Sequence, residues 1–226
     1  MVLLNQTLYP VKMPLKILAV AATSAEADCL TIIPGMELFP VVTGIGSVAT
    51  AWAMTKHLSS GLVYDLAINI GIAGSYSNEI QPGDVVLPVS DCFADAGIET
   101  KSGFLTLAEA GLQDPDAFPF KAGRLNSENR FVSQAAGLLR TVHAITVNSA
   151  TGSESRIKMI TQKYKPDIET MEGAAFFYIC ISENIPFLAI RSISNKVEPR
   201  DREKWKIGLA LENLSVKLKE VLLTLG

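Results

Sequence analysis

Glu169-Thr170-Met171-Glu172-Gly173-Ala174-Ala175, followed by Pro186-Phe187-Leu188-Ala189-Ile190-Arg191-Ser192-Ile193-Ser194-Asn195, is the part of this chain that decides its fold. In each piece polar residues stand at the end of a buried apolar segment. Met171-Glu172-Gly173 separates a short strand from an apolar helix running from Gly173 to Glu183. Ser194-Asn195 sits where the buried strand from Pro186 to Ile193 gives out. Open α/β sheets bind their ligands at such strand ends. Glu172, Ser194 and Asn195 are therefore candidate site residues.

Working outward, apolar strand-like runs alternate with helix-like segments, the pattern of an α/β fold. Leu15 to Ala21 reads as a first strand, and Thr23 or Ser24 can cap a short helix through Glu26 and Leu30. Glu37 to Val42 is a second strand and Ser47 to Leu58 a helix. Leu66 to Ile70 is a buried central strand, ended by Gly71-Ile72-Ala73-Gly74. Pro82-Gly83 turns into a strand from Asp84 to Leu87; Val142 to Val147 is a later strand and Ser153 to Tyr164 a helix. Near the C-terminus Ile207, Leu211, Leu214, Leu218 and Val221 recur on one helical face, which predicts packing rather than function. Thr100 to Arg124, with Pro115, Pro119 and several glycines, is the least regular stretch, a surface loop or a lid. With no linker, repeat or low-complexity tract, residues 1–226 are expected to form a single domain.

Composition excludes several classes. The 226 residues are 48% hydrophobic and 19% charged, enough for a large core. A net charge of -3 suggests neither a nucleic-acid nor a membrane-surface partner. The apolar runs are too short to span a bilayer. Met1 to Pro14 lacks the basic start and apolar centre of a signal peptide. The three cysteines, Cys29, Cys92 and Cys180, are far apart and odd in number, which fits a reducing, cytoplasmic compartment. The only imidazoles are His57 and His143, and no Cys/His cluster exists, so no metal site and no cofactor are expected.

Single motifs are weaker than their sum. Gly44-Ile45-Gly46-Ser47-Val48-Ala49 has the form of a dinucleotide-binding turn, and Asp65 lies about 20 residues further on. Asp65 opens the Leu66 strand, however, whereas a ribose-binding acid closes one. The motif reads instead as a tight strand-to-helix turn. Gly71 to Gly74 would let backbone approach a flat ligand, although most such glycines only make turns. Glu26, alone, is a first-turn acid favoured by the helix dipole. Glu172 adjoins the apolar run Ala174 to Ile181, so its carboxylate must be hydrogen-bonded or open to a cleft. Sugar hydroxyls are natural donors to it, and a helix N-terminal acid is the plainer alternative. The Asn195 amide donates and accepts at once, which suits a base edge; a strand-ending turn is the alternative. Arg191, inside the strand, is expected to form a structural ion pair with a carboxylate.

In order and spacing, Ala19 to Glu26, Thr43 to Val48, Asn69 to Gly74, Gly83 to Leu87, Glu169 to Ala175 and Arg191 to Asn195 resemble the purine nucleoside phosphorylase and nucleosidase family along nearly the whole chain. The resemblance implies a central mixed β-sheet flanked by helices, cleavage of the N-glycosidic bond of a purine nucleoside, and assembly as a homodimer or higher homo-oligomer. It implies that Glu26 activates the attacking water of hydrolytic members. Met171 would lie under the ribose and Glu172 would bind its hydroxyls. Ala73 and Gly74 would supply backbone beside the nucleoside, and Asn195, next to Ser194, would meet purine N7. The base-stacking aromatic usual in the family is not evident near Ala150 to Ser153; Phe93 and Tyr76 are candidates.

Phosphorolytic relatives hold phosphate with arginines drawn largely from the N-terminal half, and here the first arginine is Arg124. A dianion without a fork of donors is poorly held, so hydrolysis is expected. Relatives that cleave adenine nucleosides carry Asp where this chain has Asn195. An Asn amide donates to N7 or to O6, which favours a 6-oxopurine. The runs Ser192 to Asp201 and Val147 to Ser153 resemble a hydrolytic subfamily of that preference. Lys101, Lys121 and Arg124 are candidates to meet the substrate's 5′ group. The alternatives are an adenine-nucleoside hydrolase, a 6-oxopurine phosphorylase and a non-catalytic nucleoside-binding protein.

Overall fold

The computed structural model describes residues 13–101, 103–199 and 201–226. The signal-peptide reading of Met1 to Pro14 lies outside them but for its last two residues. Strand β1 (Leu15–Ala21) runs parallel to β2 (Met36–Val42) on one side and to β3 (Leu66–Ser75) on the other. The opposite edge of β3 pairs in parallel with β10 (Phe187–Lys196). From there the sheet curls. β10 pairs antiparallel with β4 (Val85–Asp91), β4 parallel with β8 (Arg140–Thr146), and β8 parallel with β9 (Ile168–Thr170). β9 then returns antiparallel to Gly74 and Ser75 at the end of β3. One end of the sheet is thus closed into a ring and the other is open, and the sheet is mixed as the resemblance implies.

Alternation along the central strands sends side chains to two faces. Ile17, Ile68, Ile70, Leu188 and Ile190 pack with Leu214, Leu218, Val221 and Leu222 of the C-terminal helix α6 (Ile207–Leu225). Leu18, Val20, Ala67 and Ala189 pack on the other face with Met54 of α2 (Ser47–Leu58) and Phe176 and Phe177 of α5 (Gly173–Ser182). Both phenylalanines are fully buried. The short helices α1 (Ser24–Ala27) and α3 (Arg130–Ala135) lie towards the α6 side, and α4 (Glu154–Tyr164) covers Ile145 and Val147. Among the described residues no helix is long and apolar enough to cross a membrane.

Beyond shifted bounds, such as α1 ending at Ala27 rather than Leu30 and β4 running on to Asp91, three expectations change. β3 does not stop at Ile70 but runs through the glycines to Ser75, because the bare backbone of Gly71 and Gly74 permits neighbours that a side chain would exclude. β10 likewise continues past Ile193, with a register shift between Ile193 and Asn195, so Ser194-Asn195 lies inside a bulged strand rather than beyond its end. Thr100 to Arg124 is only partly irregular. Its start pairs as a hairpin, β5 (Gly97–Thr100) with β6 (Gly103–Thr106), and Leu125–Asn126 (β7) pairs with β4.

Candidate active site

β1 leaves the edge of β3 at the Ala21–Ile70 pair, and β9 takes that edge up only at Gly74. Between them the backbone of β3 is left without a strand partner on this side. Glu26 fills the gap. Its Oε1 accepts the Ile72 N–H at 3.0 Å. Its Oε2 accepts from the Thr23 backbone N–H at 3.0 Å and from the Thr23 hydroxyl at 2.9 Å. Thr23 caps α1 and Glu26 is the third helical residue, so the two form a capping box. The sequence Thr-Ser-Ala-Glu after β1 therefore fixes a carboxylate over the sheet rather than merely starting a helix. The fit is close. A Cβ at Gly71 would stand 2.6 Å from Glu26 Oε1.

Glu172 occupies the corner between β9 and α5. Its Oε1 accepts the Gly46 N–H at 2.8 Å, and Ser47 Oγ donates to the Met171 carbonyl at 3.2 Å. Gly44 and Gly46 both have positive φ, +87° and +96°. The glycine turn that has the form of a dinucleotide motif thus spends its amide on Glu172. Burial pushes the Glu172 carboxyl upwards, the Gly46 N–H and Arg191 pull it down, and Glu26 raises it. Beneath this corner lies a buried polar chain. The Ala174 N–H donates to Thr146 Oγ1 at 2.7 Å, and Thr146 Oγ1 donates to Asp91 at 3.0 Å. Burial pushes the Asp91 carboxyl up to about 7.

Arg191 corrects its expectation. Among the described residues it pairs with no carboxylate. It donates to the Asn69 carbonyl at 2.8 Å, to the Ile190 carbonyl at 3.1 Å and to the Asn69 side-chain oxygen. It is 2% exposed, and its charge acts at longer range on Glu172, Glu26 and Asp91. A buried guanidinium satisfied by neutral oxygens keeps its positive field for the two glutamates above it.

At the other side, the Ser194 hydroxyl bridges the Ala73 carbonyl at 3.2 Å and Asn195 Oδ1 at 2.7 Å. Asn195 Nδ2 donates to the Lys196 carbonyl at 2.8 Å. This arrangement uses one lone pair of the amide oxygen and one N–H, and leaves the second N–H for a ligand.

One cavity of about 360 Å³ gathers Glu26, Ala73, Gly74, Met171, Glu172, Ser194 and Asn195, all seven residues singled out in the sequence. It also has walls that sequence reasoning missed: Ile45, Thr151, Glu169, Trp205, Ile207 and Leu211. Trp205 is the aromatic ring on the cavity wall, whereas Tyr76 lies behind Glu169 and Phe93 belongs to another pocket. A tryptophan within the charged run Asp201 to Lys206 was the available signal. Ile207 and Leu211, assigned to packing, wall the cavity, while Leu214, Leu218 and Val221 are core. Among the described residues of 100–124, none lines it. Lys101 and Lys121 are likewise not on its wall. Arg124 is spent on Ser90, Cys92 and the Ala144 carbonyl.

The family model of the Phosphorylase superfamily matches residues 29–225. A futalosine hydrolase of Streptomyces coelicolor is 31% identical over 180 residues, 77% of this chain and 74% of its own length. A futalosine hydrolase of Thermus thermophilus is 28% identical over 185 residues, 80% of this chain and 79% of its own length. The solved structure of the native futalosine hydrolase of Helicobacter pylori superposes with a TM-score of 0.76 at 16% identity, over 92% of this chain and 97% of its own. That last likeness concerns the fold alone. A cavity built at the gap between β1 and β9, and a family match that spans nearly the whole sequence, lead to one assignment: the chain belongs to the phosphorylase superfamily.

Proposed function

We propose that this chain, acting as one nucleosidase domain, hydrolyses the N-glycosidic bond of futalosine. The products are hypoxanthine and dehypoxanthine futalosine, a step of menaquinone biosynthesis. The observation that carries the proposal is the convergence of Glu26, Glu172 and Asn195 on one cavity whose wall, among the described residues, holds no lysine or arginine. A phosphate dianion would find no cationic fork there. Water needs only a base.

Each residue then has one task. As the C1′–N9 bond lengthens, the sugar becomes oxocarbenium-like. Glu172 accepts from the ribose hydroxyls above Met171 and favours the positive charge. The free N–H of Asn195, oriented by Ser194, stabilises the departing 6-oxopurine as negative charge develops on it. Glu26 takes a proton from water, and the hydroxide equivalent bonds to C1′ on the face opposite the base. The departed purine anion takes up a proton from solvent while Glu26 gives its own back to solvent. The backbone of Ala73 and Gly74 lies beside the nucleoside. The apolar wall of Ile45, Trp205, Ile207 and Leu211 suits an aromatic 5′ group. No cofactor or metal takes part.

The test is a substrate panel of futalosine, inosine, methylthioadenosine and S-adenosylhomocysteine, with free base followed by chromatography. Hypoxanthine from futalosine alone is expected. Adenine from the two thio-nucleosides would overturn the assignment.

A homo-oligomer belongs to the same reading. Ile45, Val48 and Trp52 are 63%, 81% and 64% exposed, and Ile45 also lines the cavity. An apolar patch beside a site mouth is the usual mark of a covering partner, and a second copy of this chain fits that role. Sedimentation is expected to give at least twice the chain mass, and Val48→Glu with Trp52→Glu to give the mass of one chain. A single-chain mass for the unaltered protein would refute it. The three cysteines are free and buried, in keeping with a cytoplasmic location.

A further inference from the structure

We propose that Glu169 is the specificity-determining residue for the purine, accepting the N1–H that a 6-oxopurine carries and a 6-aminopurine lacks. The inference rests on the nucleosidase reading above and names a contact which that reading leaves open.

Three strands place Glu169. Gly74 is paired with Glu169 of β9 on one side and with Asn195 of β10 on the other. Glu169 and Asn195 thus flank one glycine in a single row across the sheet, about 10 Å apart at two strand spacings. Both line the cavity, as does Gly74 between them. The floor between the two polar residues is bare, and a Cβ on Gly74 would crowd Val197 at 2.9 Å. A flat base can lie over it, with its edge between an amide and a carboxylate.

The carboxylate is held for this purpose. Glu169 is 7% exposed. Its Oε2 accepts from the Tyr76 hydroxyl at 2.7 Å and its Oε1 from the Thr151 N–H at 2.8 Å. A carboxylate offers about four lone-pair sites, so two stay open. Thr151 itself lines both this cavity and an adjoining recess shared with Asn195 and Trp205. Its buried Oγ1 makes no hydrogen bond of good geometry. A clip between Tyr76 and Thr151 would account for the two bonds but not for a carboxylate on the cavity wall.

The donor pattern is then complementary. The free Asn195 N–H meets an acceptor, N7 or O6. Glu169 meets a donor, N1–H. A 6-aminopurine presents an N1 lone pair to the carboxylate and leaves that buried group without its donor. A mismatch of this kind costs a factor of roughly 10 to 100 or more in affinity.

Calorimetry with the free bases tests this. The unaltered protein is expected to bind hypoxanthine at least about tenfold more tightly than 1-methylhypoxanthine or adenine. In Glu169→Gln the preference for hypoxanthine over adenine should fall by roughly 10- to 100-fold. In Tyr76→Phe, which keeps the acceptor and removes one of its supports, the preference should persist. Undiminished binding of 1-methylhypoxanthine by the unaltered protein would overturn the inference without recourse to any variant. So would an equal loss of both bases in Glu169→Gln. If hypoxanthine is released from futalosine while either result holds, the inference on Glu169 falls alone. If no hypoxanthine is released, the substrate assignment falls and takes this inference with it.

Discussion

Glu26→Gln is expected to lower kcat by roughly 10²–10⁴-fold and to leave KM little changed. The substitution keeps the side chain's shape and one carbonyl oxygen, which can still accept the Ile72 N–H. It removes the base that takes the proton from water. It also replaces one acceptor of the capping box by an amide NH₂ facing the Thr23 N–H and hydroxyl, which costs about 1 kcal/mol of stability. That loss is too small to unfold a domain of this size, so thermal melting separates the two effects. Steady-state kinetics on futalosine reads the first. Full activity in this variant would remove Glu26 from the role of base.

Gly71→Ala is expected to lower kcat by about 10²-fold without touching any residue assigned to the substrate. The new Cβ would stand 2.6 Å from Glu26 Oε1 and 3.2 Å from Glu26 Cδ. Glu26 would have to move, and it is held by three hydrogen bonds that the move would strain. Displacing a reacting group by about 1 Å costs on the order of 10²-fold in rate. Glu172 and Asn195 keep their supports at Gly46 and Ser194, so affinity for the base should hold. The diagnostic is a fall in kcat with KM for futalosine nearly unchanged. Equal losses in both, or unchanged kcat, would contradict the account of Glu26's position.

The fold was legible to the extent that it is local. Continuous apolar runs give buried strands, and Leu15–Ala21 and Ser47–Leu58 fall at the same bounds in sequence and structure. What pattern does not carry is the closure of the sheet. The return of β9 to the end of β3 depends on Gly74 pairing with Glu169, a contact between residues far apart in the chain. Glycine at 71 and 74 looks like a strand terminator in sequence and is a strand under close neighbours in space. The seven candidate residues converge on one cavity because the resemblance supplied their grouping; period and composition alone read Glu26 as a helix-start acid. Trp205, Ile207 and Leu211 were missed for a different reason. The charged run ahead of Trp205 hides an inward-facing ring, and a helical stripe gives no sign that its first turns meet a cavity and its later turns a core. Arg191 shows the same limit for electrostatics. Its position in an apolar strand implies a partner, but not that the partner is the neutral Asn69.

The measurement that bears most directly on the central claim is the rate of hypoxanthine release from futalosine with and without inorganic phosphate, with the sugar product identified. The expected result is one rate in both buffers and an unphosphorylated sugar. A rate that climbs with phosphate and yields a sugar 1-phosphate would contradict hydrolysis at the Glu26–Glu172 site.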